Sequence, residues 1–190
     1  MKENEKKTGR KTGIRESALV GLMAALLCIA GPLTIPVPFS LVPVSITNLA
    51  LYIVLYVLGT RKGCISYFVY LLIGLVGLPV FSAFTGGIGK VLGPTGGYLL
   101  GFVFMLLISG WFIDRWYDRP IRCMAGMVLG MAVCYLFGTL WLSLQSGMTF
   151  EGALMAGVIP FLFGDVVKIL IAAFGGPKIR KRLRKAGLEE

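Results

Sequence analysis

Apolar runs of roughly twenty residues, the length a helix needs to cross a bilayer, recur along this chain at about 17–35, 43–60, 63–81, 95–113, 122–144 and 152–174, with Pro, Gly or charge between them. At 1.5 Å of rise per residue each run spans ~30 Å of hydrocarbon. Open strands leave backbone N–H and C=O groups unpaired in lipid, so the runs are read as helices. The expected fold is an all-α integral membrane protein with six transmembrane helices. Composition agrees: 56% of the 190 residues are hydrophobic and only 15% are charged, whereas soluble domains are roughly 45–50% apolar.

The basic residues sort the runs by side. Lys2, Lys6, Lys7, Arg10, Lys11 and Arg15 precede the first run, and Arg61 and Lys62 separate the second from the third. Arg115, Arg119 and Arg122 separate the fourth from the fifth, and Lys178, Arg180, Lys181, Arg182, Arg184 and Lys185 follow the sixth. An even number of crossings places all of these on one side, which the positive-inside rule makes the cytoplasm. Of the 19 Lys and Arg, only Lys90 and Lys168 fall elsewhere. Cleavage of the first run as a signal peptide would break this parity, so it is read as a retained span. The expected organisation is a basic cytoplasmic head at 1–16, a single six-helix membrane domain at 17–175 and a basic cytoplasmic tail at 176–190, with both termini cytoplasmic. A net charge of +10 also suits nucleic acid, but alternation by loop is the pattern of membrane topology and not of a phosphate-binding patch.

Several chemistries are excluded. His is absent, which removes the commonest general base and the commonest metal ligand. Cys28, Cys64, Cys123 and Cys134 lie in or beside apolar runs with no CxxC spacing and read as small buried hydrophobes. Asp165 is the only acid inside a run, so an intramembrane enzyme lacks an acid and base pair. No catalytic residue, metal or cofactor is expected.

Two features carry candidate binding chemistry. Asp165 and Lys168 lie three apart in the last run, on adjacent turns of one helix face. An ionisable side chain in a bilayer costs ~2.5–3.5 kcal/mol on insertion scales and normally faces protein or a watery cavity. Mutual neutralisation in a bundle core is the plain alternative; the functional reading is a polar ligand site in which Asp165 accepts N–H groups and Lys168 donates. The second feature is the glycine-dense segment 77–98, containing Thr85, Gly86, Gly87, Lys90 and Tyr98, which suits a loop packing its backbone against a small molecule. It is not a phosphate loop: Phe84 and Val91 stand where that motif needs Gly and Ser or Thr, and Leu92 breaks the dinucleotide pattern. A connecting or re-entrant loop is the other reading.

Ser17, Gly21 and Ala25 recur every four residues and form a small stripe where a helix can approach closely, within the chain or from a partner. Pro32, Pro36, Pro38 and Pro43 mark an extended outer loop, after which Thr47 and Asn48 offer hydrogen bonds near the outer mouth. Trp111, Trp116, Tyr117 and Trp141 read as interfacial anchors.

Together these motifs resemble the BioY family, the biotin-specific S components of energy-coupling factor (ECF) transporters. The matching stretches are Ile35-Pro-Val-Pro-Phe39, Val42-Pro-Val-Ser45, Gly77-Leu-Pro-Val-Phe81, Gly93-Pro-Thr-Gly-Gly-Tyr98 with Gly101-Phe102, Trp141-Leu-Ser-Leu-Gln145 and Gly164-Asp165 with Lys168. The resemblance implies an S-component fold in a bacterial plasma membrane that captures biotin from outside. It also implies docking on a transmembrane coupling subunit with two ATP-binding cassette ATPases. It further implies that Asp165 and Lys168 contact biotin, that the glycine-rich loop closes over it, and that Gly21 and Ala25, with Ser17, face the coupling subunit. Some family members carry Asn and Arg where this chain has Thr85 and Leu99, which makes Lys90 the candidate partner of the biotin carboxylate. The competing function is an autonomous vitamin transporter without ATPase subunits.

Overall fold

The computed structural model describes residues 2–36 and 42–186; Pro38 of the expected outer loop lies outside the described residues. Helix α1 runs Lys2–Ala30, α2 Thr47–Leu75, α3 Ile88–Leu92, α4 Gly96–Trp116, α5 Pro120–Ser146, α6 Phe150–Gly157 and α7 Ile159–Lys185. Between α1 and α2, strands β1 (Thr34–Ile35) and β2 (Val44–Ser45) pair antiparallel, with Thr34 opposite Ser45. The fold is thus almost wholly helical, with one short hairpin that the apolar pattern did not foreshadow.

Five of the described helices, α1, α2, α4, α5 and α7, are long and apolar enough to cross a membrane. The difference from the six expected runs lies in α2, which holds both the second and third. At Gly59 the backbone leaves the helix, with φ 72° and ψ 179°, a region open essentially to glycine alone. The two arms of α2 fold back on each other there: a Cβ on Gly63 would sit 3.3 Å from Leu55 Cδ2, a contact that 1.5 Å of rise per residue forbids in a straight helix. Asp114 of α4 caps the break, its Oδ2 accepting from the Thr60 amide at 2.9 Å and the Thr60 hydroxyl at 2.6 Å. The sixth run is broken as well, at Val158 between α6 and α7.

Helices α4 and α5 are held close by glycines. A Cβ on Gly101 would fall 2.9 Å from Cys134 Cα, and one on Gly97 would fall 2.2 Å from Trp141 Cβ. In the absence of a hydrophobic drive between helices in lipid, such backbone approach supplies the packing. The outward faces carry the large apolar side chains, as on α7, where Phe163, Val166, Ile171 and Phe174 are exposed for lipid to cover.

The basic segments meet at one end of the bundle. Lys62 pairs with Glu16 at 2.7 Å, Arg180 Nη1 lies 3.5 Å from Asp114 Oδ1, and Lys181 pairs with Asp118 at 2.8 Å. Arg184 Nη1 donates to the Tyr117 hydroxyl at 2.6 Å. Helix α1 runs unbroken out of the basic head, and α7 runs on into the basic tail. The hairpin and the glycine-rich segment 77–95 belong to the other end, and both contribute residues to the cavity wall.

Candidate ligand-binding site

The inward stripe of α7 is Phe161, Asp165, Lys168, Ile169, Ala172, Ala173 and Gly176, a spacing that keeps one helical face toward the bundle. Asp165 and Lys168 are therefore placed against protein and not lipid, at 7% and 9% exposure. Lys168 Nζ donates to Asp165 Oδ1 at 2.8 Å, and Asn48 Nδ2 donates to the same oxygen at 2.8 Å. The Tyr135 hydroxyl donates to Oδ2 from α5, and Lys168 also donates to the Ser45 carbonyl on β2. The pair is thus neutralised and braced from three sides, the condition under which a buried ion pair survives its desolvation. A carboxylate has about four acceptor positions and an ammonium three donors, so about one of each stays open to a guest.

These residues line a cavity whose empty space, open mouth included, is about 710 Å³. Its remaining wall is mostly apolar and aromatic, including Tyr70, Phe81, Tyr98, Phe102, Met131 and Phe161. Thr47 and Asn48, at the start of α2, line it, as do Lys90 and Tyr98. Thr47 is held by the Ser45 side chain, which accepts from its amide at 3.0 Å and shares a hydrogen bond with its hydroxyl. Tyr98 donates to the Gly157 carbonyl at 2.8 Å, so its ring forms wall and its hydroxyl is committed. Lys90 is half-buried on α3, and burial pushes its ammonium pKa down.

Thr85, Gly86 and Gly87 are not among the cavity-lining residues. They fold the loop onto itself: the Thr85 hydroxyl donates to the Ser82 carbonyl at 2.8 Å, and the Gly87 amide donates to the Gly74 carbonyl at 2.7 Å. Gly86 has no room for a side chain, since a Cβ would fall 2.2 Å from the Leu78 carbonyl oxygen. Phe81 drives its ring over Gly74 and edge-on to Tyr70, centroids 5.5 Å apart. The Ala83 amide donates to Thr34 Oγ1 at 3.1 Å, strapping the loop to the hairpin, and Trp141 Nε1 fastens its far end through the Gly93 carbonyl at 2.9 Å. Trp141 is therefore a loop fastener and not an exposed interfacial anchor.

Ser17, Gly21 and Ala25 lie exposed along one face of α1, remote from this cavity's lining. A Cβ on Gly21 would meet nothing within 4 Å, so among the described residues no part of the chain packs on Gly21.

Sequence reasoning passed over Tyr135 and Ser45. The signal for Tyr135 was a phenol in the middle of an apolar helix, since a buried tyrosine hydroxyl usually has a partner. Ser45 contributes its backbone carbonyl to Lys168, and side-chain identity carries no trace of that.

An ion pair at one wall of an apolar cavity, set among helices long enough to cross a bilayer, defines a multi-pass membrane protein with a candidate site for a small amphipathic ligand. Residues 2–185 match the profile of the BioY family, and the chain belongs to that family. It is 34% identical over 172 residues to the biotin transporter BioY2 of Lactococcus lactis, covering 90% of this chain and 93% of that one. It is 30% identical over 181 residues to the biotin transporter BioY of Thermotoga maritima, covering 93% and 99%. Among solved structures, the crystal structure of the S-component for biotin from an ECF-type ABC transporter superposes with a TM-score of 0.82 at 27% identity, over 90% of this chain and 93% of that chain. These relatives are transporters and not enzymes.

Proposed function

We propose that this protein is the biotin-binding S component of an ECF-type importer. It sits in the bacterial plasma membrane, captures biotin at the outer face and hands it to a transmembrane coupling subunit driven by two ATP-binding cassette ATPases. The observation that carries the reading is the Asp165–Lys168 pair, braced by Asn48 and opening on an apolar cavity. Biotin offers ureido N–H donors and a carbonyl on an apolar sulfur-containing bicycle. Asp165 takes a ureido N–H, and Lys168 and Asn48 donate toward the ureido oxygen. Thr47 and Tyr98 shape the wall, Lys90 serves the carboxylate end, and the loop carrying Thr85, Gly86 and Gly87 closes over the cargo. The names of the relatives and of the structural neighbour support biotin as cargo and an ECF module as partner.

Counting the two arms of α2 separately gives six crossings, with the basic head 1–16 and tail 176–190 in the cytoplasm and residues 17–175 as one membrane domain. The clustering of Glu16, Lys62, Asp114 and Arg180 at a single end supports this parity. The coupling subunit packs on the open stripe of Ser17, Gly21 and Ala25.

Equilibrium titration of the purified chain with labelled biotin, with thiamine and riboflavin as competitors, tests the cargo. Biotin binds and neither competitor displaces it; displacement by another vitamin, with biotin silent, removes the reading. Uptake that requires co-expressed coupling subunit and ATPases confirms the S-component role, whereas accumulation without them identifies an autonomous transporter.

A further inference from the structure

Among the described residues of the cavity wall, Thr95 is the one whose side-chain hydrogen-bonding group is buried and unused. It is 7% exposed, it lines the cavity, and its Oγ1 has no partner within the described protein. It occupies the N-cap of α4, where a threonine oxygen ordinarily accepts from an amide two or three residues on, yet it makes no such bond. The local amides are served otherwise: Tyr98 and Leu99 donate to the Thr95 carbonyl at 3.2 and 3.4 Å, and Gly96 donates to the Gly93 carbonyl at 3.0 Å. Buried polar groups are normally paired with protein, water or ligand, so this hydroxyl is available to whatever enters the cavity.

The surroundings select the chemistry of that missing partner. The charged side chains lining the cavity are Lys90, Asp165 and Lys168, and Asp165 is already engaged by Lys168, Asn48 and Tyr135. Among the described residues the wall is therefore left net positive, and no acid pairs with Lys90. Helix α4, 21 residues long, directs the positive end of its dipole at the same place, a setting that favours anions. Asp165 and its partners come from α2, α5 and α7, whereas Thr95 and Lys90 come from the α3–α4 side, so a ligand bound between them meets two different polar ends.

We propose that the N-terminus of α4, acting through the Thr95 hydroxyl and together with Lys90, is the subsite that takes the carboxylate of the cargo. The proposal rests on biotin being that cargo, and it makes Thr95 a specificity-determining residue that separates the free acid from its neutral derivatives.

The test measures equilibrium binding of biotin and of biotin primary amide to the full-length wild type and to Thr95→Val, Thr95→Ser and Lys90→Met. Wild type prefers the acid. Thr95→Val and Lys90→Met each weaken biotin by roughly 10- to 100-fold, the worth of a hydrogen bond to a charged group. Both leave the amide within about twofold, and Thr95→Ser restores the preference. Retained amide binding shows that the variants are folded. Equal wild-type affinity for acid and amide, unchanged biotin binding in Thr95→Val, or equal loss of both ligands overturns the subsite while leaving the cargo assignment standing. A wild type that binds neither ligand overturns the cargo reading and the subsite with it.

Discussion

The Asn48 side-chain amide donates to Asp165 Oδ1 across 2.8 Å, tying together positions 117 apart in the chain. One of these lies at the start of α2 and the other about two turns into the inward face of α7. The bond makes the ion-paired end of the cavity a joint property of two helices, so separating them takes that arrangement apart.

Asp165→Asn is isosteric but leaves the Lys168 ammonium without its counter-charge in a buried place. Truncating one member of a buried, bonded pair costs about 2–5 kcal/mol, so biotin affinity drops by at least roughly 30-fold, read by isothermal titration. The double variant Asp165→Asn/Lys168→Met loses far less than the sum of the two single losses, because the second change removes the charge stranded by the first.

Tyr135→Phe deletes one donor to the carboxylate and leaves the ring in place. A hydrogen bond to a charged group is worth about 1.5–3 kcal/mol, so affinity for biotin falls roughly tenfold or more. A calorimetric titration that returns the wild-type value shows that the phenol only fills space.

Gly59→Ala puts a Cβ into a backbone region that L side chains avoid, 3.1 Å from Asp114 Oδ1. The expected cost is about 1–3 kcal/mol, seen as a lowered Tm in detergent. Gly13→Ala, with open space around it, serves as the neutral comparison.

Trp141→Phe removes the bond that holds the Gly93 carbonyl at 2.9 Å. Amide hydrogen exchange across residues 77–95 accelerates while that of α4 and α5 is unchanged, because the loop loses its fastening and the helices keep their glycine contacts. Uniform exchange across the whole chain would show that Trp141 stabilises the bundle and not the loop.

Burial depresses the Lys90 pKa, so its ammonium is lost at a lower pH than an ordinary lysine loses its charge. If Lys90 serves the carboxylate, biotin affinity is full below that depressed pKa and declines as pH rises through it. Lys90→Met lacks this alkaline decline, and binding titrations from neutral to alkaline pH on both chains check it.

Much of this protein was legible in one dimension because the bilayer leaves so few options. A lipid-facing backbone must satisfy itself, so the apolar runs had to be helices. The bias of Lys and Arg between loops groups Lys62, Arg180 and Lys181, and in the fold they pair with Glu16, Asp114 and Asp118 at one end of the bundle. The cost of charge in hydrocarbon singled out Asp165 and Lys168, and both are buried side by side. The glycine-rich segment was recognisable as an irregular loop, but its roles were mixed in sequence: Lys90 and Tyr98 line the cavity, whereas Thr85, Gly86 and Gly87 hold the loop together.

What the amino-acid order determined by itself was the helices, their burial stripes and the costly charges, all consequences of local solvation that neighbours in sequence decide. Only the tertiary structure decided which groups brace those charges. Asn48, Tyr135 and the Ser45 carbonyl reach Asp165 and Lys168 from three separate elements, and the Thr95 hydroxyl finds no partner among the described residues. Hydrogen bonding depends on where atoms lie within about 3 Å of one another, and packing sets that distance while composition and periodicity do not.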